Sequence, residues 1–128
     1  MGQITTRSPF TPECLPRLAP VAGVRFAAAE AGIKYRGRTD LMVAVLDPGT
    51  VAAGVLTQSK TASAPVLTCR EHLKGGAARL LIVNSGNANA FTGKKGREAV
   101  AITVDAGAKA ADCASAEVFV ASTGVIGE

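Results

Sequence analysis

The sequence has little of what builds metal sites, disulfide frameworks or membrane spans. It holds one histidine, His72, and three widely separated cysteines, Cys14, Cys69 and Cys113, with no Cys-x-x-Cys pair. That set excludes a structural zinc site and disfavours a disulfide framework, so a reducing cytoplasm is the expected compartment. No apolar run has the length of a bilayer span, and the N-terminus lacks a secretory pattern. We therefore expect a cytoplasmic protein without a metal ion or a membrane contact.

Aromatic residues are also scarce, at 4% with no tryptophan, although 48% of the residues are apolar. A core built mainly from Ala, Val, Leu and Ile favours close-packed layers of strand and helix. Residues 1–23 carry a series of prolines between Pro9 and Pro20, which predicts an extended N-terminal segment. Residues 24–128 are then expected to form one α/β core.

Basic residues outnumber acidic ones by 14 to 10, which gives a net charge of +4. They cluster only at Lys34-Tyr35-Arg36-Gly37-Arg38, where Lys34, Arg36 and Arg38 could hold nucleic acid. The other basic residues are scattered and form no stripe. We therefore favour a solvated surface that attracts carboxylate ligands, and expect no nucleic-acid partner.

Apolar runs mark the predicted strands. Leu41–Leu46 is apolar on both faces, so it should lie centrally in a sheet covered on both sides. Turn residues separate it from a second run, Val51–Leu56, and together the two runs predict a hairpin. Further strands are predicted at Arg79–Val83 and Glu117–Val120.

Two helices are predicted between these strands. Ser63 to Lys74 has a capping serine, a proline in its first turn and Gly75-Gly76 at its end. The second runs from about Lys95 to Ala111 after a capping Thr92. Its small residues imply close packing on a sheet, with one row at Ala99, Thr103, Ala106 and Ala110 and a neighbouring row at Val100, Val104, Gly107 and Ala111.

Two polar segments follow buried strands, where α/β proteins commonly bind ligands. Asn84–Ala90 is too polar to be expected within a sheet, and its plain interpretation is a structural loop. Ser122–Gly127 is predicted to be a turn that can aim backbone N–H groups and a hydroxyl at one point, as an oxyanion or a phosphate requires. A simple turn after a strand is the alternative.

No evident nucleophile accompanies these donors. The sequence has no Gly-x-Ser-x-Gly elbow, and His72 is interpreted as a helix-surface residue. Cys69 has no activating partner in the sequence and is interpreted as a small packed side chain. Residue chemistry alone therefore predicts a donor-rich site without its nucleophile or base.

Several segments, in order, resemble the ornithine acetyltransferase family, also called glutamate N-acetyltransferase. The most specific are Val83-Asn84-Ser85-Gly86-Asn87-Ala88-Asn89-Ala90-Phe91-Thr92-Gly93 and Ser122-Thr123-Gly124-Val125-Ile126-Gly127. Weaker similarity covers Val21–Val24, Ala31–Leu41, Ala53–Thr57 and Ser63–Val66. The resemblance covers nearly the whole chain and implies the layered, Ntn-hydrolase-like sandwich of the ornithine acetyltransferase/DmpA-like fold.

The resemblance also implies a reaction and site residues. Family members move an acetyl group from N-acetylornithine to glutamate in arginine biosynthesis, and some also accept acetyl-CoA as a co-substrate; no other cofactor is expected. By position, Thr123 and Gly124 resemble the oxyanion-hole residues, donating through a hydroxyl and a backbone N–H. The residues expected to shape the site are Asn84, Ser85, Gly86, Asn87 and Asn89.

In the family, a precursor cleaves itself into α and β chains, and the first threonine of the β chain is the nucleophile. The resemblance therefore implies that residues 1–128 are part of an α chain whose partner is that β chain, in an α2β2 heterotetramer. A chain of this kind is expected to be inactive alone. The alternative is a non-catalytic α/β module that binds phosphate or carboxylate.

Overall fold

The computed structural model describes residues 8–128 and contains four strands and two helices. In chain order these are β1 (Val24–Ala29), β2 (Leu41–Leu46), α1 (Ala64–His72), β3 (Leu80–Asn87), α2 (Gly93–Ala111) and β4 (Val118–Val125). Short 3-10 helices follow α1 at Leu73–Gly75 and precede β4 at Ser115–Glu117. The predicted α/β layered class is confirmed. Neither helix within residues 8–128 is long and apolar enough to cross a bilayer.

The strands form one mixed sheet in the order β1-β2-β3-β4. Strands β1, β2 and β3 pair antiparallel, whereas β3 and β4 run parallel. Parallel neighbours need a crossover connection, and α2 supplies it. The carboxyl ends of β3 and β4 consequently meet at one end of the sheet.

The hairpin predicted from Leu41–Leu46 and Val51–Leu56 is wrong. Both edges of β2 are occupied, by β1 on one side and β3 on the other, so no edge remains for a third strand. The second run makes only an isolated bridge, from Val51 to Ala77, and Val55 is fully exposed. The true partner, β1, is an exposed edge strand that the sequence analysis does not predict.

Both predicted helices are confirmed in position. Ser63 precedes α1 in an extended conformation, Pro65 lies in its first turn, and Gly76 terminates the following 3-10 turn in the left-handed region. Thr92 precedes α2. Neither the Ser63 nor the Thr92 side chain makes the expected capping hydrogen bond, so helix position here does not depend on that bond.

Helix α2 covers one face of the sheet, which we call the closed face. Its buried residues, with Leu80, Ile82, Val118 and Val120 of the two parallel strands, form the core. A methyl group on Gly107 would lie 2.6 Å from Ile82 Cδ1, so the helix approaches the sheet as closely as the small residues predict. Of the two predicted rows, the one containing Val100, Val104 and Gly107 is buried; Ala99, Thr103, Ala106 and Ala110 are exposed.

The opposite face, which we call the open face, carries Phe26, Met42, Leu81, Val83 and Phe119. No helix or strand among residues 8–128 lies across it, although His72 of α1 reaches Phe119 at its edge, and Phe26 is 70% exposed. Strand β2 is internal to the sheet, as predicted. The sheet was expected to be covered on both faces, but among the described residues a helix covers only the closed face.

Helix α1 closes the outer edge of β4 through side chains. The Cys69 thiol donates to Val120 O at 3.2 Å and accepts from Val120 N at 3.5 Å. His72 Nδ1 lies 2.7 Å from Val118 O, and its ring packs edge-on against Phe119. These two residues therefore satisfy main-chain groups that an edge strand normally leaves unpaired.

Candidate functional site

The two polar segments expected to be loops are the paired carboxyl ends of β3 and β4. The parallel register continues through Asn84↔Ser122, Ser85↔Thr123, Gly86↔Gly124 and Asn87↔Val125. The expectation of a loop from Asn84 and of a turn at Ser122 is therefore wrong. Ladder hydrogen bonds use main-chain atoms, so polar side chains do not end a strand when they find partners of their own.

Strand alternation sorts these residues between the two faces of the sheet. Asn84 and Ser122 continue the closed-face positions Ile82 and Val120, and so face α2. Ser85 and Thr123 continue the open-face positions. The two neighbouring hydroxyl residues Ser122 and Thr123 therefore project to opposite sides.

Two glycines face each other across the paired strand ends. Gly86 has φ +123° and Gly124 has φ +130°, a region that L side chains rarely adopt. A methyl group on Gly124 would lie 2.3 Å from Gly86 C and 2.4 Å from Gly86 O. Gly124 therefore permits the close approach of the neighbouring strand at Gly86.

Ser122 is the centre of a closed-face hydrogen-bond network. Its hydroxyl donates to Asn84 Oδ1 at 2.5 Å and accepts from Asn89 Nδ2 at 3.2 Å. Asn84 in turn donates through Nδ2 to Asn87 O at 2.9 Å. All three side chains are half-buried. The Ser122 hydroxyl therefore uses its only donor, and one of its acceptor positions, in holding the two strand ends together.

A second set of bonds holds the chain beyond Gly124. Asn87 Nδ2 donates to Glu128 O at 2.8 Å, and Asn87 Oδ1 accepts from Asn89 N at 2.7 Å. Main-chain bonds join Ala88 N to Val125 O and Gly127 N to Ala90 O, both at 2.9 Å. Asn84, Asn87 and Asn89 thus tie together the segments on both sides of the glycine pair.

Thr123 and Gly124 differ from these neighbours in exposure. Both are solvent-exposed, and within residues 8–128 the Thr123 hydroxyl has no hydrogen-bond partner. Val120 turns its main-chain groups toward α1, and by the two-residue repeat of a strand we expect the Gly124 N–H to face the same outer edge. The arrangement offers one hydroxyl and one backbone donor on adjacent residues, which suits an oxygen that gains negative charge.

The basic cluster at residues 34–38 lies beside this site. Arg38 donates to Ser85 Oγ at 2.9 Å and stacks over the Tyr35 ring at 5.2 Å. Lys34 lies against Gly86 and forms an ion pair with Glu128. The cluster and the polar segments are far apart in the sequence, and only the fold brings them together.

Asp40 is a residue that the sequence analysis missed. It is 4% exposed, and its carboxylate accepts hydrogen bonds from Ala31 N and Ile33 N, both at 2.7 Å. The Ala31 bond is the main cause that lowers the pKa of Asp40 below its usual value, and the Ile33 bond adds to it against the opposing effect of burial. Asp40 thereby fixes the loop that carries Lys34 and Arg38. The sequence signal that could have identified Asp40 is its position as a single acidic residue directly before the apolar run of β2.

Neither the hydrogen bonds of Cys69 and His72 nor the cavity at the start of the two helices include Thr123 or Gly124. Cys69 and His72 are occupied at the edge of β4, and residues 8–128 contain no group of three or more metal-ligating His, Cys, Asp or Glu side chains. A cavity of about 170 Å³ lies where α1 and α2 begin, with Ser63, Asn89 and Arg97 in its lining. Thr123 and Gly124 do not line it.

The ArgJ family matches residues 25–128. The arginine biosynthesis bifunctional protein ArgJ of Mesorhizobium japonicum is 62% identical over 97% of this chain and 30% of its own length. That of Bradyrhizobium diazoefficiens is 60% identical over 94% and 29%. The chain thus spans about 30% of the length of these curated relatives.

Two solved structures are similar in fold and sequence. The ornithine acetyltransferase of Mycobacterium tuberculosis, crystallised with ornithine, is 41% identical with a TM-score of 0.79. The match covers 84% of this chain and 58% of that one. An arginine biosynthesis bifunctional protein from Bacillus halodurans is 36% identical with a TM-score of 0.78, over 84% and 56% of the two chains.

Proposed function

The chain belongs to the ArgJ family, and we propose that it carries the oxyanion-stabilising part of an acetyltransferase in arginine biosynthesis. The whole enzyme would transfer an acetyl group from N-acetylornithine to glutamate. The resemblance found in the sequence is confirmed at the level of the family. The observation that supports the proposal for this segment is the exposed Thr123-Gly124 pair, held at the ends of two parallel strands.

In the proposed reaction, a threonine hydroxyl outside residues 1–128 attacks the acetyl carbonyl carbon of N-acetylornithine. The carbonyl oxygen becomes negative while the new C–O bond forms. Thr123 Oγ–H and Gly124 N–H would donate to that oxygen. The proton of the threonine hydroxyl is transferred to the leaving nitrogen as the C–N bond breaks, so that ornithine leaves as the amine and an acetyl-threonine ester remains. The glutamate amine attacks the ester, passes through the same kind of oxyanion, and releases the threonine.

The remaining expectations concern the whole protein. Autocatalytic cleavage would generate the nucleophilic threonine at the start of a β chain, which would assemble with this segment as an α2β2 heterotetramer. Relatives are named bifunctional, and acetyl-CoA is the proposed second acetyl donor. We expect no metal, nucleic-acid or membrane partner. Because the substrates are metabolites of amino-acid biosynthesis, the cytoplasm is the proposed compartment.

A rate measurement tests the proposal. A full-length ArgJ protein carrying this segment is assayed for transfer of labelled acetyl from N-acetylornithine to glutamate, with and without Thr123→Ala. Loss of one oxyanion donor should lower kcat by about two to three orders of magnitude. Thr50→Ala is the matched control, because that hydroxyl bonds Asp47 O in the turn after β2, at the other end of the sheet. It should leave kcat unchanged.

Two results would contradict the proposal at different points. An inert, folded wild type would remove the transferase function and favour the binding module, which calorimetry with N-acetylornithine and inorganic phosphate would then measure directly. A Thr123→Ala rate within about twofold of an active wild type would remove Thr123 from the oxyanion role alone.

A further inference from the structure

We propose that Ser122 is a positioning residue for the oxyanion donors, acting from the closed face of the sheet through Asn84 and Asn89. This inference rests on the proposed transferase function. Ser122 directly precedes Thr123 and Gly124 in the chain, but its side chain lies on the opposite face of the sheet from the side chain of Thr123.

The first argument is orientation. Ser122 continues the closed-face row of Val120, while Thr123 continues the open-face row of Phe119. A group that contacts Thr123 Oγ on the open face is therefore separated from Ser122 Oγ by the sheet itself. Ser122 has the chemistry of a hydroxyl donor but not the access, so any effect it has on the reaction passes through the backbone.

The second argument is connectivity. The Ser122 hydroxyl donates to Asn84 of the neighbouring strand and accepts from Asn89, which follows that strand. The peptide of Gly124 lies between this anchor and the bonds of Asn87 to Glu128 and of Ala88 to Val125. Gly124 itself has no side chain and an unusual φ of +130°, so it needs external restraints to keep one conformation.

The third argument is that preorganisation is what such donors require. A hydrogen-bond donor stabilises an oxyanion most when it does not have to reorient during the reaction. An anchor on one side of Gly124 and a second on the other would limit the rotation of the Thr123–Gly124 peptide. Removing the Ser122 anchor should therefore affect the transition state more than substrate binding.

The experiment uses the full-length protein carrying this segment. Ser122→Ala should lower kcat about tenfold, less than loss of a direct donor, and leave the KM for N-acetylornithine within about twofold. Ser122→Thr keeps the hydroxyl, and a cavity of about 20 Å³ lies beside Ser122, so this variant should retain kcat within about threefold of wild type. Ser115→Ala, which removes an exposed serine bond to Asp105 before β4, is the matched control and should leave kcat unchanged.

A double-mutant cycle separates positioning from mere stabilisation. In a Thr123→Ala background, Ser122→Ala should lower kcat by about threefold rather than tenfold, because one of the two donors that Ser122 positions is already gone while the Gly124 N–H remains. An equal tenfold loss in both backgrounds would overturn the proposal and assign Ser122 a structural role. If Ser122→Ala does not fold, Asn89→Asp takes its place, because it removes the donor to Ser122 with little change of shape. The same loss of kcat, and the same smaller loss in the Thr123→Ala background, are expected for it.

The outcomes also distinguish this proposal from the function on which it rests. An active wild type with Ser122→Ala within about twofold of it overturns the positioning role and leaves the transferase intact. An inert, folded wild type overturns the function, and the positioning role with it.

Discussion

The two faces of the sheet are built from the same strands but differ in what they do. On the closed face, α2 buries Ile82 and Val120, and the polar residues at the strand ends use their hydrogen bonds on each other. On the open face, Phe26 is exposed and Thr123 keeps a free hydroxyl within the described part of the chain. The parallel register of β3 and β4 thus places some of the polar residues at the strand ends on the closed face, where they bond each other, and leaves Thr123 exposed on the open face.

The largest expected effect comes from removing the glycine at which the two strands meet. Gly124→Ala in the 128-residue chain places a methyl group 2.3 Å from Gly86 C and forces alanine into φ +130°. We expect the free energy of unfolding in urea to fall by at least about 3 kcal/mol, because steric overlap and backbone strain add.

Gly127→Ala is the control for backbone strain alone. Gly127 has φ +88°, and a methyl group there would have nothing within 4 Å. Gly127→Ala should lower the free energy of unfolding by about 1–2 kcal/mol. An equal loss for the two variants would show that the strands do not approach as closely as described.

The next effect compares the two faces within one strand. Ile82 is 7% exposed on the closed face, whereas its neighbour Leu81 is half-buried on the open face. Ile82→Ala should lower the free energy of unfolding by about 3 kcal/mol, and Leu81→Ala by less than half of that. Folding buries less apolar surface of Leu81, and its removal leaves no closed cavity. Equal costs in the 128-residue chain, measured by urea unfolding, would mean that the open face is covered in solution.

The smallest effect concerns acid stability and the loop beside the open face. The native pKa of Asp40 is lowered, so its contribution to stability is present above the ordinary value of 3.8 and is lost as the pH falls through the lowered native pKa. Asp40→Asn should reduce stability at neutral pH and flatten the decline between about pH 4 and pH 2. Urea unfolding across that range measures it, with exposed Asp105→Asn as a control expected to keep the wild-type decline.

The helices and the internal strands could be predicted from sequence because local chemistry marks them. Ser63, Pro65 and Gly76 mark the ends of α1, and the continuous apolar run Leu41–Leu46 predicts an internal strand. Strand β1 could not be predicted, since it is an exposed edge strand stabilised by pairing with β2. The ends of β3 and β4 were missed for a related reason, because their order comes from main-chain pairing.

The candidate site was predictable in part. The resemblance predicts roles for Thr123 and Gly124 and for the asparagines, and these roles stay predictions, whereas the structure shows that the two segments lie side by side. The link between Ser122 and Asn84 could not be predicted, because these residues are 38 positions apart and meet only in one parallel register. The same register sets which of Ser122 and Thr123 is presented, so a shift by one residue would exchange their roles.

The side chains of Cys69 and His72 on the outer edge of β4 also limit how this molecule can associate with others. A bare edge strand invites another strand to pair with it, which leads to uncontrolled assembly. Here α1 occupies that edge at Val118 and Val120. Another strand could therefore pair with this edge only from Ser122 onward, so the helix restricts the place at which a strand can join the sheet to the part that carries the candidate site.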